Sequence, residues 1–228
     1  MEDRNNSIFL FPIIVLTTII LSCCFLLLAR YFPKNERHLA SIKVTIPEGY
    51  NVFDIGSALG PKLPNFDKNK FLLEAREGYL FPDTYFFFVT ANQEDVIKSM
   101  TDNFNRKIEN LGAKLPSESR TPKLSEIITI ASLVEKEAKG DNDRGIIAGI
   151  LWKRLAVGMP LEVDSAPQTY KVKGLPDSPI CNPGLEAILA VLHPQKSVYL
   201  YYLHDKIGNI YYANTFALHQ TNIKKYLK

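Results

Sequence analysis

The chain has 228 residues, 46% of them hydrophobic, enough for one ordinary domain with a buried core plus a small additional module. Lysine and arginine number 27 against 24 aspartates and glutamates, a formal charge of +3 that is too even and too scattered for a nucleic-acid surface. Of the 3 cysteines, Cys23 and Cys24 lie in one apolar run, so Cys181 alone can make neither an internal disulfide framework nor a cysteine metal site.

Residues 8–29 form a run of 22 without a charged side chain. At about 1.5 Å per residue such a helix crosses a hydrocarbon core of about 30 Å, so the run predicts an N-terminal transmembrane helix. A cleaved secretory signal is the rival, but its apolar region spans only about 7–15 residues and no small-x-small site follows here. Ile20-Leu-Ser-Cys23 loosely resembles a lipoprotein box, which would make Cys23 a lipidated anchor. Charge argues against an outward-facing domain: only Arg4 precedes the run, whereas Arg30, Lys34 and Arg37 follow it. The positive-inside rule by itself places the C-terminal part in the cytoplasm.

Residues 31–41 are polar, contain Pro33 and read as a short solvated linker. Alternation over 42–46 predicts a half-buried strand, Pro47-Glu-Gly49 a turn, and the spacings over 52–59 and 68–74 two short helices. Together these make a small βαα module over 42–76. Residues 78–88 are rich in aromatic side chains, and their Gly and Pro argue against a helix, so they read as an extended connector lying on the core. Val96, Ile97, Met100, Phe104 and Ile108 give residues 93–111 the pattern of an amphipathic helix.

Helices over 124–139, stopped by Gly140, and 141–157, stopped before Gly158, form an expected hairpin. A Pro- and Gly-rich stretch over 159–184 follows, then a short helix, strands at 198–203 and 210–213 about a turn at Gly208, and a terminal helix from Thr215. The fold class is therefore α+β: one N-terminal transmembrane helix, the small module, and a mixed helical domain over 77–228 with a short C-terminal sheet.

His38, His193, His204 and His219 show no metal-ligand spacing, no Gly-rich phosphate loop is present, and no serine sits in a nucleophile elbow. Acids are then the leading catalytic candidates. In Ala131-Ser-Leu-Val-Glu-Lys-Glu-Ala138, the apolar stripe of Ile127, Ile130, Ala131, Val134 and Ala138 has Glu135 and Glu137 on its two borders, and periodicity does not choose between them. A glutamate there meets partial desolvation and the negative end of the helix dipole, both of which favour the proton-bearing form that a general acid needs. The plain alternative is a surface pair of Glu135 with Lys139. Tyr79, Phe81, Tyr85 and Phe86 fit core positions or sugar platforms, and Asp83 fits a turn.

The ordered motifs Val44-Thr-Ile-Pro-Glu-Gly-Tyr50, Glu77-Gly-Tyr-Leu-Phe-Pro-Asp-Thr-Tyr85, Ala131-Ser-Leu-Val-Glu-Lys-Glu137, Gly174-Leu-Pro, Ile180-Cys-Asn-Pro-Gly184, His193-Pro194, Tyr199-Leu-Tyr-Tyr202 and Asn214-Thr-Phe-Ala-Leu-His219 span about 175 residues. Their sequence closely resembles that of the MltG (YceG-like) endolytic murein transglycosylase family. The resemblance implies an anchor in the bacterial inner (cytoplasmic) membrane with an extracytoplasmic domain and a LysM-like module reduced to about 42–76. It also implies a catalytic domain over 77–228 that cuts nascent peptidoglycan strands between MurNAc and GlcNAc, leaving 1,6-anhydro-MurNAc ends. It makes Glu137 the catalytic acid, with Asp164, Thr169, Tyr170 and Asn182 as candidate substrate-binding residues. It implies no cofactor and no metal, and points to glycan strands, the membrane and peptidoglycan synthases as partners.

The chain departs from the family in the compressed stretch Val163-Asp-Ser-Ala-Pro-Gln-Thr-Tyr170, with Gln168 where Asn is usual. A non-catalytic, membrane-anchored glycan-binding or cell-wall-assembly scaffold is therefore the alternative function, and an ordinary glycosidase a third.

Overall fold

The computed structural model describes residues 40–111 and 122–227. The expected transmembrane helix at 8–29 lies outside these residues, as does all of the linker but its last two positions. Among the described residues no helix is long and apolar enough to cross a membrane.

Strand β1, Ser41–Thr45, leads into α1, Val52–Leu59, and α2, Lys68–Glu74. Asn51 caps α1 by accepting the Asp54 N–H, while Asp54 reaches back to the Asn51 N–H, and Asp67 caps α2 in the same way at Asn69 and Lys70. The aromatic segment is where the structure departs from the sequence reading. Half of the expected connector is a strand, β2, Thr84–Phe88, antiparallel to β1 with Lys43 opposite Phe86 and Thr45 opposite Thr84. Its alternation is complete, Tyr85 and Phe87 buried and Phe86 and Phe88 exposed, but Gly78 and Pro82 just before it masked the period of two. The βαα unit is thus closed into a βααβ arrangement.

The small core under this sheet contains Val44, Ile46, Ile55, Leu59, Phe71 and Leu80. Helix α3, Gln93–Leu111, completes it with Val96 and Met100, then sends Phe104 and Leu111 into the larger core. One helix therefore belongs to both cores.

The larger core surrounds α4, Leu124–Glu137, in which every residue from Ile127 to Val134 is buried, a wider apolar surface than the expected stripe. Helix α5, Asp141–Ala156, and α6, Leu185–Leu192, pack on it. Helix α4 stops two residues earlier than expected: Ala138 is already extended, and Gly140 serves as the N-cap of α5 and not as the end of α4. Strands β3, Tyr201–His204, and β4, Ile210–Ala213, form the expected antiparallel hairpin, shorter at its start, and α7, Phe216–Tyr226, follows, capped by Thr215.

The two cores are joined at Asn182, whose side chain is fully buried. Its Oδ1 accepts the Leu80 N–H at 2.9 Å, and its Nδ2 donates to the Tyr50 carbonyl at 3.0 Å and to Glu77 Oε1 at 2.8 Å. Its backbone adds the Asn182 N–H to Tyr50 O bond and the Gly49 N–H to Asn182 O bond, both 2.9 Å. Two glycines permit this closeness. At Gly78, with φ +86°, a Cβ would lie 2.5 Å from Pro179, and at Gly184 it would lie 1.9 Å from Glu48.

Replacing Asn182 by alanine strands the buried Leu80 N–H and takes one of their donors from the Tyr50 carbonyl and the Glu77 carboxylate, which keep the backbone bonds from residue 182 and Val52. The chain should lose on the order of 3 kcal/mol of stability. Denaturant unfolding reads this directly, and a loss under about 1 kcal/mol would mean that Asn182 does not hold the joint.

Candidate active site

The last turn of α4 sends two carboxylates in opposite directions, as two steps of about 100° require. Glu135 turns toward the small module, where its Oε2 accepts the Gly184 N–H at 3.1 Å beside Glu48. Lys139 lies beyond the end of the helix, and the expected surface pair gives way to this internal bond. Burial, reinforced by the nearby Glu48 charge, holds the Glu135 carboxyl above its ordinary value despite the Gly184 bond.

Glu137 turns the other way, into a cleft of about 390 Å³. Although 92% of its surface is covered, with only 8% exposed, its carboxylate lines that cleft. Three donors hold it: the Ser165 N–H at 3.2 Å and the Ser165 hydroxyl at 2.8 Å on Oε1, and the Tyr202 hydroxyl at 3.2 Å on Oε2. The carboxylate is fixed in rotation while its edge stays open to the cleft, the geometry that proton transfer to a bound oxygen needs. Burial and the Glu137 charge keep the Tyr202 hydroxyl well above the ordinary tyrosine value, so it remains a proton-bearing group.

The wall opposite rests on Arg154. This buried cation donates through Nε to the Leu200 carbonyl at 2.7 Å, and through Nη1 to the Leu161 carbonyl at 2.6 Å and Glu162 at 3.3 Å. Glu162 is the one non-glycine with positive φ among the described residues, at 49°. That backbone is strained, and the ion pair with Arg154 offers the compensation such strain needs. His204 and His219 also line the cleft, each held below the ordinary imidazole value chiefly by burial.

Of the residues expected from sequence, Glu137, Asp164 and Tyr170 are brought together here, with the Tyr170 hydroxyl donating to Asp164 Oδ1. Asn182 is not. Its amide is spent on the joint between the cores, so its role is structural and not contact with substrate. Thr169 is likewise turned inward: its hydroxyl accepts the Val163 N–H at 2.9 Å and donates to the Ala166 carbonyl at 2.7 Å, which shapes the compressed loop from behind. The residues that sequence reasoning left without a role are Ser165, Tyr202, Arg154 and Glu162. Tyr202 stood in a recognised motif, and its two-residue spacing from His204 on a strand was the available signal.

The sequence model described as the YceG-like family matches residues 28–168 and 167–225. Over 184 residues the chain is 35% identical to the endolytic murein transglycosylase of Bacillus subtilis (strain 168), an alignment covering 70% of this chain and 50% of that protein. It is 31% identical over 179 residues to the endolytic murein transglycosylase of Streptococcus pneumoniae serotype 2 (strain D39 / NCTC 7466), covering 66% and 32%. A crystal structure of a YceG-like protein from Listeria monocytogenes superposes with a TM-score of 0.70 at 27% identity, covering 78% of this chain and 75% of that one. The chain thus spans about half the length of the Bacillus relative and about a third of the Streptococcus relative.

Glu77, like Glu135, is held above its ordinary value of 4.5 chiefly by burial. A raised value means that the folded chain binds the proton more tightly than the unfolded chain. The stability gained is complete below pH 4.5 and is lost as pH rises through the folded values. Melting temperature should fall as pH rises across that window, and Glu135→Gln should flatten the slope; an unchanged slope in the variant would show that Glu135 titrates normally.

Proposed function

The chain belongs to the YceG-like family, and on that premise we propose that it is a lytic transglycosylase that cuts within peptidoglycan glycan strands. The observation that carries this reading is Glu137, a buried carboxylate lining a cleft and held by Ser165 and Tyr202.

Protonated Glu137 gives its proton to the oxygen linking C1 of MurNAc to the next sugar. The C1–O bond breaks with its electron pair going to that oxygen. The 6-hydroxyl of the same MurNAc then attacks C1, and its proton passes to the Glu137 carboxylate, which restores the acid and leaves a 1,6-anhydro ring. No water is consumed and no cofactor is called for. Because the nucleophile belongs to the substrate, one carboxylate serves where an ordinary glycosidase uses two. Asp164 and Tyr170, bonded to each other on the cleft wall, would hold the sugar and not transfer its proton, a reading their mutual bond supports.

Residues 8–29 would anchor the chain in the cytoplasmic membrane, with residues 40–227 on the outer side, where polymerised glycan lies and synthases work. The βααβ arrangement supports reading the small module as LysM-like, its second strand supplied by residues beyond 76. The topology has a direct check. A reporter fused after Lys228 should be active outside the cytoplasm, and a cytoplasmic signal would sink the glycan-cutting reading.

Mass spectrometry of glycan strands digested by the detergent-solubilised chain should show 1,6-anhydro ends. Glu137→Gln should lower their rate of formation by about 10²-fold or more, the span of a general acid-base contribution. Ends without the anhydro ring would make the protein a hydrolase. Binding of strands by a folded parent that yields no ends would favour the scaffold.

A further inference from the structure

Helix α7 has a feature that proton transfer at Glu137 does not use. None of its residues is buried, although it carries an apolar face. Phe216, His219 and Ile223, together with Leu227 just past its end, recur at helical spacings of three and four, the pattern of a face that normally meets a core. Here that face lines the cleft of Glu137 instead. Phe216 is left 56% exposed and Ile223 and Leu227 are also uncovered, with the Tyr201 ring tilted 5.9 Å from Phe216 and stacked 5.2 Å from His219.

We propose that this face of α7 is a sugar subsite of the cleft, in which the apolar face of one N-acetylhexosamine ring stacks on Phe216 while its hydroxyls reach the polar wall opposite. The proposal rests on the glycan-cutting reading and specifies how the strand is held. Two features of the cleft select this occupant. An apolar ring platform faces carboxylates and tyrosine hydroxyls, which matches a pyranose, apolar on its faces and polar around its rim. Glu137, Glu162 and Asp164 outnumber Arg154, so of the two alternating sugars the neutral N-acetylglucosamine fits here, and the N-acetylmuramic acid, with its lactyl carboxylate, is disfavoured at this platform. The tether to β4 is short, with Thr215 capping the helix immediately after Asn214, so the platform is held at a fixed place relative to the hairpin bearing Tyr202.

The test measures binding of amidase-trimmed glycan strands to the full chain carrying Glu137→Gln, which slows turnover by about a hundredfold or more so that binding is read before cleavage. Adding Phe216→Ala should weaken binding about tenfold at an unchanged melting temperature, while Phe216→Trp stays within about twofold of the parent; these are the scale of one aromatic stacking contact. Val157→Ala, which truncates a side chain 65% exposed outside the cleft, should leave binding unchanged. Full-strength binding by folded Phe216→Ala overturns the subsite, as does equal weakening by alanine and tryptophan, since either removes stacking as the cause. If the Glu137→Gln parent binds no strands at all, the substrate reading itself fails and the subsite with it.

Discussion

A single buried carboxamide decides how the two cores meet. Asn182 is wholly enclosed, and each of its side-chain bonds ends on a different segment: the turn before α1, the carboxylate of Glu77, and the approach to β2 at Leu80. Glu77 in turn accepts the Val52 N–H that opens α1. Taking such groups out of water costs about 1–3 kcal/mol for each one left unpaired, so the arrangement is stable only when every bond is made. The small module is consequently fixed in one orientation and cannot slide against the loop that carries Asn182.

That loop is fastened just as firmly to α4. The Ile180 N–H donates to the Ser132 hydroxyl, the Cys181 thiol donates to the Ser132 carbonyl, and the Gly184 N–H donates to Glu135. Burial pushes the Cys181 thiol up to about 12, so it stays a protonated donor. The joint therefore locates the last turn of α4 from one side, while Ser165 and Tyr202 locate it from the other. Glu137 sits between a structural knot and a cleft, two residues from a carboxylate that is part of the knot. Glu135 and Glu137 look interchangeable in sequence, but helical geometry gives one to the joint and turns the other into the cleft.

Local periodicity made most of the elements legible. Helices α1, α2 and α3 and the β3–β4 hairpin lie where apolar spacing and capping residues place them, because those signals act within a few residues. What escaped depended on distant partners. Strand β2 is a strand because β1 lies beside it, and its own Gly and Pro neighbours point elsewhere. Asn182 stood out as part of a motif, but its function as a tie is set by Tyr50, Glu77 and Leu80, which lie more than a hundred residues away in sequence. The carboxylate of Glu137 was singled out by motif, whereas its holders, Ser165 and Tyr202, come from a loop and a strand that no period connects to α4.

The cleft also restricts which group can move a proton. Tyr170 and Tyr202 are held above the ordinary tyrosine value by burial and neighbouring carboxylates, so their hydroxyls keep their protons and can only orient a ligand. The two imidazoles are displaced the other way, chiefly by burial, so they stay uncharged near neutrality and are poor acids, and the Nε2 of His204 and Nδ1 of His219 are enclosed. Arg154 is committed to two carbonyls and Glu162. Donation of a proton to a ligand is thereby left to carboxyl groups. Asp164 is exposed to water, whereas Glu137 is buried, and Glu162 faces a permanent cation. Glu137 differs in being held only by hydroxyls and one amide: the hydroxyls of Ser165 and Tyr202 can turn from donor to acceptor when the carboxyl takes up a proton, so the same contacts accommodate both of its states.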